Sequence, residues 1–320
     1  MGFMDYILDK IDHNVEELIH RGMGRVFTFS IVVGTKACNA NCPFCISKTT
    51  GFSQLPPCKD FDVQRLRKAA RLAQMRNATT VLFTGKGEPF LYPKQILKYL
   101  TELQPYDFPI IEIQTNALNI ADINDSQIQN RSLYDDLKWM KYYGLNTIAI
   151  SVVDVDQKNN AKIYRNPYPD LAETVSCIHN LGFSVRLCVM MQKGMVDCPE
   201  DIGRVVEFCK NNSVEQCTVR PIKKPDRADD TDKYVKYINE YGLTKDQISN
   251  INSYIRVCGK QILTIAHGAH SAQVFDIDGQ NIAISDCLTV ESNTDDIRTL
   301  IYYPSGEISY DWGYKGARIM

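Results

Sequence analysis

Between residues 26 and 222 the chain alternates between two hydrophobic periods, and that alternation limits its fold more than any other feature. "VFTFSIVVG" (26–34), "TTVLFTG" (79–85), "IIEIQTN" (110–116), "NTIAISVV" (146–153), "SVRLCVMM" (184–191) and "EQCTVRPI" (215–222) are short and rich in β-branched and aromatic residues, so each predicts a strand. Between them, near 60–76, 93–104, 132–143, 169–181 and 199–211, apolar residues recur at helical spacing. The last of these patterns opens on Pro199 with acids in its first turn. Helices of this length between successive strands require parallel strands joined by right-handed crossovers. The expectation is an α/β sheet or incomplete barrel, with its chemistry at the C-terminal ends of the strands.

The flanks break this rhythm. Residues 5 to 21 place Ile7, Leu8, Ile11, Val15, Leu18 and Ile19 on one helical face, predicting an N-terminal helix within 1–25. After residue 222, "KKPDRADDTDK" reads as a charged loop, followed by helical patterns near 232–241 and 244–257. Short alternating stretches then follow, with Gly279 and "PSG" as turn signals, which predicts antiparallel hairpins. The expected organisation is a helix over 1–25, the strand and helix series over 26–222, and an α+β extension over 223–320 capping it. Tyr302, Tyr303, Tyr310, Trp312 and Tyr314 in that extension suit either hairpin core or a substrate pocket. His267 and His270 are spaced for a metal or for acid and base work, with no acid or cysteine beside them.

Composition narrows the function classes. A chain of 320 residues, 44% hydrophobic and 23% charged, can bury a large core. A net charge of −2 gives no general pull toward nucleic acid or anionic membrane, which argues against a nucleic-acid substrate. No uncharged run reaches the ~18 residues of a membrane span, and a cytoplasmic, membrane-free location is expected. Eleven cysteines, an odd number, are poorly explained by a disulfide framework in such a compartment. Cys58, Cys177, Cys188, Cys198, Cys209 and Cys217 are scattered and read as buried thiols.

Three cysteines are not scattered. Cys38, Cys42 and Cys45 fall within "TKACNANCPFCISK", just past the first strand and so at the reactive edge. Such a thiolate-rich loop suits zinc or an iron–sulfur cluster. Structural zinc would need a fourth ligand, which Cys58 or a histidine could supply. A four-iron cluster is ordinarily held by four thiolates, so three would leave one iron open, as a reactive metal requires.

The pattern Cys38, Cys42, Pro43, Phe44, Cys45 after the first strand resembles the radical S-adenosylmethionine (SAM) enzymes, and the barrel segment is most similar to their molybdenum-cofactor cyclase branch. The resemblance covers about residues 26 to 222. It implies a partial (βα)6 TIM-like barrel and a single 4Fe-4S cluster on Cys38, Cys42 and Cys45, whose open iron binds SAM. It places Phe44 beside the adenine. "FTGKGEPFLYP" resembles the Gly-Gly-Glu-Pro segment that holds the SAM amino group, making Gly87 and Glu88 binders, with Lys86 standing where the family has a glycine. Thr115 and Asn116, in "IQTNA", match a Thr-Asn-Gly ending near the methionyl or ribose part, with Ala117 in place of the glycine. Ser151 matches the ribose-contacting position, with Asp154 as a neighbour. Arg186 falls where a basic residue meets the SAM carboxylate, a role its planar fork suits. Arg220 is a candidate to face substrate.

The resemblance implies an enzyme that cleaves SAM reductively to a 5'-deoxyadenosyl radical, which then abstracts hydrogen from a small metabolite, nucleotide or peptide. Its partners would be that substrate and an electron donor such as flavodoxin or ferredoxin. A glycyl-radical-enzyme activating protein and a non-catalytic zinc-binding or interaction protein remain as alternatives. Cys258 and Cys287, 29 positions apart, are too few for a second cluster.

Overall fold

The computed structural model describes residues 25–49, 61–120, 131–225, 228–267, 270–285, 297–312 and 315–320. The helix expected over 5–21, together with Cys58, Cys287, Tyr314 and the side chains of His267 and His270, lies outside what is described. Six strands, β1 (Val26–Val33), β2 (Thr80–Gly85), β3 (Ile110–Thr115), β4 (Thr147–Val152), β5 (Ser184–Met191) and β6 (Gln216–Pro221), stand side by side in chain order. Every neighbouring pair among them is parallel. The helices are α1 (Ile46–Thr49), α2 (Val63–Met75), α3 (Pro93–Leu103), α4 (Arg131–Tyr142), α5 (Gln157–Tyr164), α6 (Leu171–Asn180), α7 (Pro199–Asn211), α8 (Lys233–Tyr241) and α9 (Lys245–Cys258). This is the partial α/β barrel expected from the alternation. The polar segment that forms α5 carries little apolar periodicity and was not legible as a helix.

Local chemistry starts at least four of these helices. Asp62, Asp156, Asp170 and Thr244 each accept a hydrogen bond from a backbone N–H in the first turn of α2, α5, α6 and α9, a cap that stabilises a helix by about 1 kcal/mol. Thr244 and Gln247 complete a reciprocal capping box.

The strands are two-faced, and this positions the site. On one face Phe29, Ile31, Phe83, Ile113, Ile150, Leu187 and Val219 are fully buried with Leu66, Ile96, Leu137, Ile178 and Ile202 of the surrounding helices. Each such side chain contributes roughly 1.5–3 kcal/mol by burial. The alternate positions include Ser30 of β1, Thr84 of β2, Glu112 and Gln114 of β3, Ser151 of β4, Arg186 of β5, and Thr218 and Arg220 of β6, interspersed with Val32, Leu82, Ala149, Cys188 and Met190. A parallel sheet packed on both faces reads as continuously apolar; the partly polar alternate face here is the barrel interior.

The C-terminal strands join the same sheet at both edges. β7 (Lys260–His267), β8 (His270–Ile277) and β9 (Gln280–Ile284) form an antiparallel meander, turned between β8 and β9 by Asp278 and Gly279 with φ of 51° and 84°. β9 lies parallel to β6, while β10 (Ile297–Tyr302) lies parallel to β1 and carries the short antiparallel β11 (Ile308–Ser309). The result is one sheet of eleven strands. Tyr302 and Tyr303 are fully buried; Tyr302 meets Tyr99 edge-on and Tyr303 meets Trp312, whereas Tyr310 is exposed. Among the scattered cysteines Cys177, Cys188, Cys209 and Cys217 are buried thiols, and Cys198 is half-buried at the start of α7.

Candidate active site

The three-cysteine loop leaves the C-terminal end of β1 and runs into α1. Its departure requires a glycine: Gly34 has φ +66°, and a Cβ there would lie 2.1 Å from the Tyr92 ring. The Gly34 N–H donates to Gln95 Oε1 at 2.7 Å, and the Thr35 and Tyr92 hydroxyls are 2.6 Å apart, so the loop's first residues are tied to the start of α3. Cys38 is exposed, Cys42 and Cys45 are half-buried, and all three are free thiols.

The segment after β2 packs directly on this loop. The Glu88 N–H donates to the Ala37 carbonyl at 2.9 Å, one residue before the first cysteine. A Cβ at Gly87 would sit 1.9 Å from that same carbonyl oxygen, so glycine is what lets the two backbones approach. Glu88 is only 3% exposed. Its Oε1 accepts from the Thr115 hydroxyl at 2.7 Å and the Phe90 N–H at 3.1 Å, and its Oε2 accepts from the Asn116 N–H at 2.9 Å. Burial pushes the Glu88 carboxyl up from its ordinary range, and the three donors oppose that shift. Glu88 therefore staples the ends of β2 and β3 beside Cys38.

Asn116 reaches further. Its Nδ2 lies 2.7 Å from Asn39 Oδ1 and 3.7 Å from Cys38 Sγ, and the Ala40 N–H points at the same sulfur at 3.4 Å. Asn39 donates on to Asn119 at 2.7 Å, and Asn166 donates to the Asn39 carbonyl at 3.0 Å. This asparagine lattice was not anticipated from the sequence, where asparagines are unremarkable in loops. Ala117 adopts φ +64°, the left-handed conformation that a glycine takes without steric cost. Tyr164 donates to the Ser151 carbonyl at 2.6 Å and packs at a tilt against the Tyr168 ring, and its own carbonyl accepts from the Asn41 N–H at 2.9 Å. The Tyr168 hydroxyl is buried and makes no hydrogen bond with the described residues. Burial raises its pKa, and the charges of Glu88 and Cys42 raise it further, which marks its proximity to the loop.

The remaining expected residues divide. Phe44 packs against Val153, Ile163 and Met195, with Met190 alongside, above the ends of β4 and β5. Ser151 faces the interior near the top of β4, level with Cys188. Arg186 is two residues lower, level with Ala149, and its Nη2 pairs with Glu112 Oε1. Burial raises the Glu112 carboxyl, while Arg186 and then Arg220 pull it down. Asp154 is fully buried, accepting from Arg204 and Asn159 as well as its own loop. The structure thus gathers Gly87, Glu88, Thr115 and Asn116 around Cys38, places Phe44 and Ser151 across the mouth, and commits Arg186 to an interior ion pair.

The donor set fits a sulfur-ligated cluster. Burial raises the Cys38 and Cys42 thiols, Cys42 the more strongly, so ligation must displace protons. Donors already aimed at the Cys38 sulfur suit a thiolate, and the buried Tyr168 hydroxyl, without a hydrogen-bond partner among the described residues, suits a ligand beside it. Among the described residues, the one trio of metal-type donor atoms within 4.8 Å of one another is Asp197, Cys198 and Asp201. A single tetrahedral ion at ~2.3 Å bonds gathers its sulfurs to about 3.8 Å, so Cys38, Cys42 and Cys45 are spread wider than one zinc would draw them. The Asp197 trio is a helix start instead: Asp201 accepts from the N–H groups of Asp197 and Cys198 and pairs with Arg204.

Residues 32–209 match the family model described as the radical SAM superfamily. A curated relative, a probable dual-specificity RNA methyltransferase RlmN from Chlorobaculum tepidum, is 24% identical over 240 residues, covering 70% of this chain and 61% of that protein. SuiB of Streptococcus suis bound to S-adenosylmethionine superposes with a TM-score of 0.59 at 16% identity, over 97% of this chain and 66% of that one. SuiB bound to its precursor peptide SuiA gives 0.55 at 15% identity, over 97% and 65%. The chain thus spans about two thirds of the length of these proteins or slightly less.

Proposed function

The chain belongs to the radical SAM superfamily, and from that premise we propose that it holds a 4Fe-4S cluster on Cys38, Cys42 and Cys45 and cleaves SAM to act on a substrate in the barrel mouth. The observation that carries this reading is the backbone contact of Gly87 and Glu88 with Ala37, which fixes the cysteine loop against the C-terminal ends of β2 and β3. In such a site the reduced cluster supplies the electron that splits SAM to methionine and a 5'-deoxyadenosyl radical, the agent that takes hydrogen from the substrate.

The protein's own residues supply placement and exclusion. Ala40 and Asn116 donate toward the Cys38 sulfur, stabilising its thiolate. Glu88, Thr115 and Asn116 form a closed hydrogen-bonded rim that holds the β3 end at a fixed distance from the loop. Phe44, Met190 and Met195 give the mouth an apolar wall that excludes water from a reactive radical. Below, Ser30, Thr84, Gln114, Ser151 and Thr218 give the interior polar groups for orienting a substrate.

A peptide or small metabolite is the favoured substrate, since a SuiB structure superposing over almost the whole chain is the one bound to a precursor peptide. The RlmN relative favours a second reading, methylation of an RNA base. One experiment tests the common core: anaerobically reconstituted, reduced protein is incubated with SAM, and 5'-deoxyadenosine is measured by chromatography. Turnover in the native chain and none in Cys42→Ala is expected; a native protein that binds iron yet forms no 5'-deoxyadenosine refutes the proposal. Adding peptide or RNA fractions separates the two readings by which one stimulates the reaction.

A further inference from the structure

The connection between α5 and α6 is bonded to the cysteine loop at two points. The Asn41 N–H donates to the Tyr164 carbonyl at 2.9 Å, and Asn166 Nδ2 donates to the Asn39 carbonyl at 3.0 Å. Arg165 between them takes φ +56°, a left-handed conformation that ends α5. Three residues on, the Tyr168 carbonyl accepts from Gln157 Nε2, and the Tyr168 ring packs against that of Tyr164 with centroids 5.3 Å apart. Tyr168 belongs to the same buried core against which Cys42 packs. Only 3% of the residue is exposed, yet its hydroxyl has no hydrogen-bond partner among the described residues. A buried hydroxyl with nothing to donate to is destabilising, so its presence calls for a use.

Cys42 has the complementary deficit. Donors already point at Cys38 Sγ from the Ala40 N–H at 3.4 Å and Asn116 Nδ2 at 3.7 Å, and both Glu88 oxygens are occupied by donors. No side chain among the described residues donates to the Cys42 sulfur, although it is the more strongly desolvated of the two thiols. We propose that Tyr168 is a positioning residue whose hydroxyl donates to the Cys42 thiolate when that sulfur ligates iron, and that it thereby sets the reduction potential of the cluster. The inference rests on Cys42 being a cluster ligand and deepens that reading. A hydrogen bond to a ligating sulfur favours the reduced state, which carries one more negative charge, and so raises the potential. In support, burial raises the Tyr168 hydroxyl and the charges of Glu88 and Cys42 add to it, which puts the phenol beside that sulfur. Tyr164 cannot serve in its place, because its hydroxyl is engaged by the Ser151 carbonyl at 2.6 Å.

The test compares the full chain with Tyr168→Phe and Tyr164→Phe. Three quantities are read: the urea denaturation midpoint of the apo chain, the reduction potential of the anaerobically reconstituted chain by titration followed with electron paramagnetic resonance, and SAM affinity. Tyr168→Phe removes an unpaired buried hydroxyl from the apo chain, so its denaturation midpoint should hold or rise. In the reconstituted chain it should shift the reduction equilibrium about fivefold or more toward the oxidised form, about 40 mV at 59 mV per tenfold for one electron. Tyr164→Phe loses its bond to Ser151, so it should lower the apo midpoint while moving the reduction equilibrium less than twofold. A native potential in Tyr168→Phe overturns the inference, and if SAM affinity falls at the same time the hydroxyl belongs to SAM. A lower apo midpoint in Tyr168→Phe also overturns it, since the hydroxyl would then serve the fold. A native chain that assembles no four-iron cluster overturns the reading of the site and this inference with it, whereas an assembled cluster with an unshifted potential overturns this inference alone.

Discussion

Gly87→Ala isolates the contact that carries the functional reading. Gly87 is not in the left-handed region, so alanine can adopt its backbone conformation and only the contact is at stake. The added Cβ would lie 1.9 Å from the Ala37 carbonyl oxygen, 2.6 Å from the Ala37 carbonyl carbon and 2.8 Å from that of Lys36. All three are backbone atoms, so no rotamer change relieves the clash. Reaching an ordinary separation of about 3.4 Å needs the loop to retreat by roughly 1.5 Å, which breaks the 2.9 Å bond from the Glu88 N–H to Ala37. Losing that bond costs about 1 kcal/mol and overpacking adds about 1–3 kcal/mol, for a total of roughly 2–4 kcal/mol. The assay is urea denaturation of the apo-protein followed by iron content and 5'-deoxyadenosine formation after reconstitution. Gly316→Ala, with nothing within 4 Å of the added Cβ, is the neutral control. A Gly87→Ala protein with the native denaturation midpoint and a full complement of iron would refute the claim that close backbone packing sets the cysteine loop.

Two other substitutions test the site separately. Glu88→Gln keeps the shape but sets an amide NH2 against one of the three donors now served by the carboxylate, so apo-protein stability should fall by about 1–3 kcal/mol; denaturation midpoints unchanged within error would mean that Glu88 is not the staple. For the interior pair, Arg186→Met and Glu112→Gln should each cost several kcal/mol, while the double variant should recover much of the loss, because breaking one partner strands a buried charge. The same variants report on the SAM role of Arg186. Weaker SAM binding in Arg186→Met alone, with native binding in Glu112→Gln, would show that the guanidinium serves SAM as well as its partner.

The parallel order of β1 to β6 was legible because it depends on local quantities: strand and helix periods, connection lengths and the chirality of the crossovers. The position of Cys38, Cys42 and Cys45 at the reactive edge followed from the same reading, since a loop after a strand can only emerge at that strand's C-terminal end. What the alternation could not report was where the last third of the chain would go. Short amphipathic stretches predict hairpins wherever they lie, and parallel pairing of β10 with β1 and of β9 with β6 is decided by which edges of the barrel are left open.

The site divides along the same physical line. Cysteine spacing and the "GKGEP" turn are contiguous in sequence, so their chemistry could be read from residue types. Tertiary structure alone decided that Gly87 yields space to Ala37, that Glu88 bonds across to Thr115 and Asn116, that asparagines 39, 116, 119 and 166 form one lattice, and that Arg186 sits on Glu112 below the mouth. Each of these joins residues about 30 to 130 positions apart, and such pairings exist only once the strands have brought distant loops to a common edge.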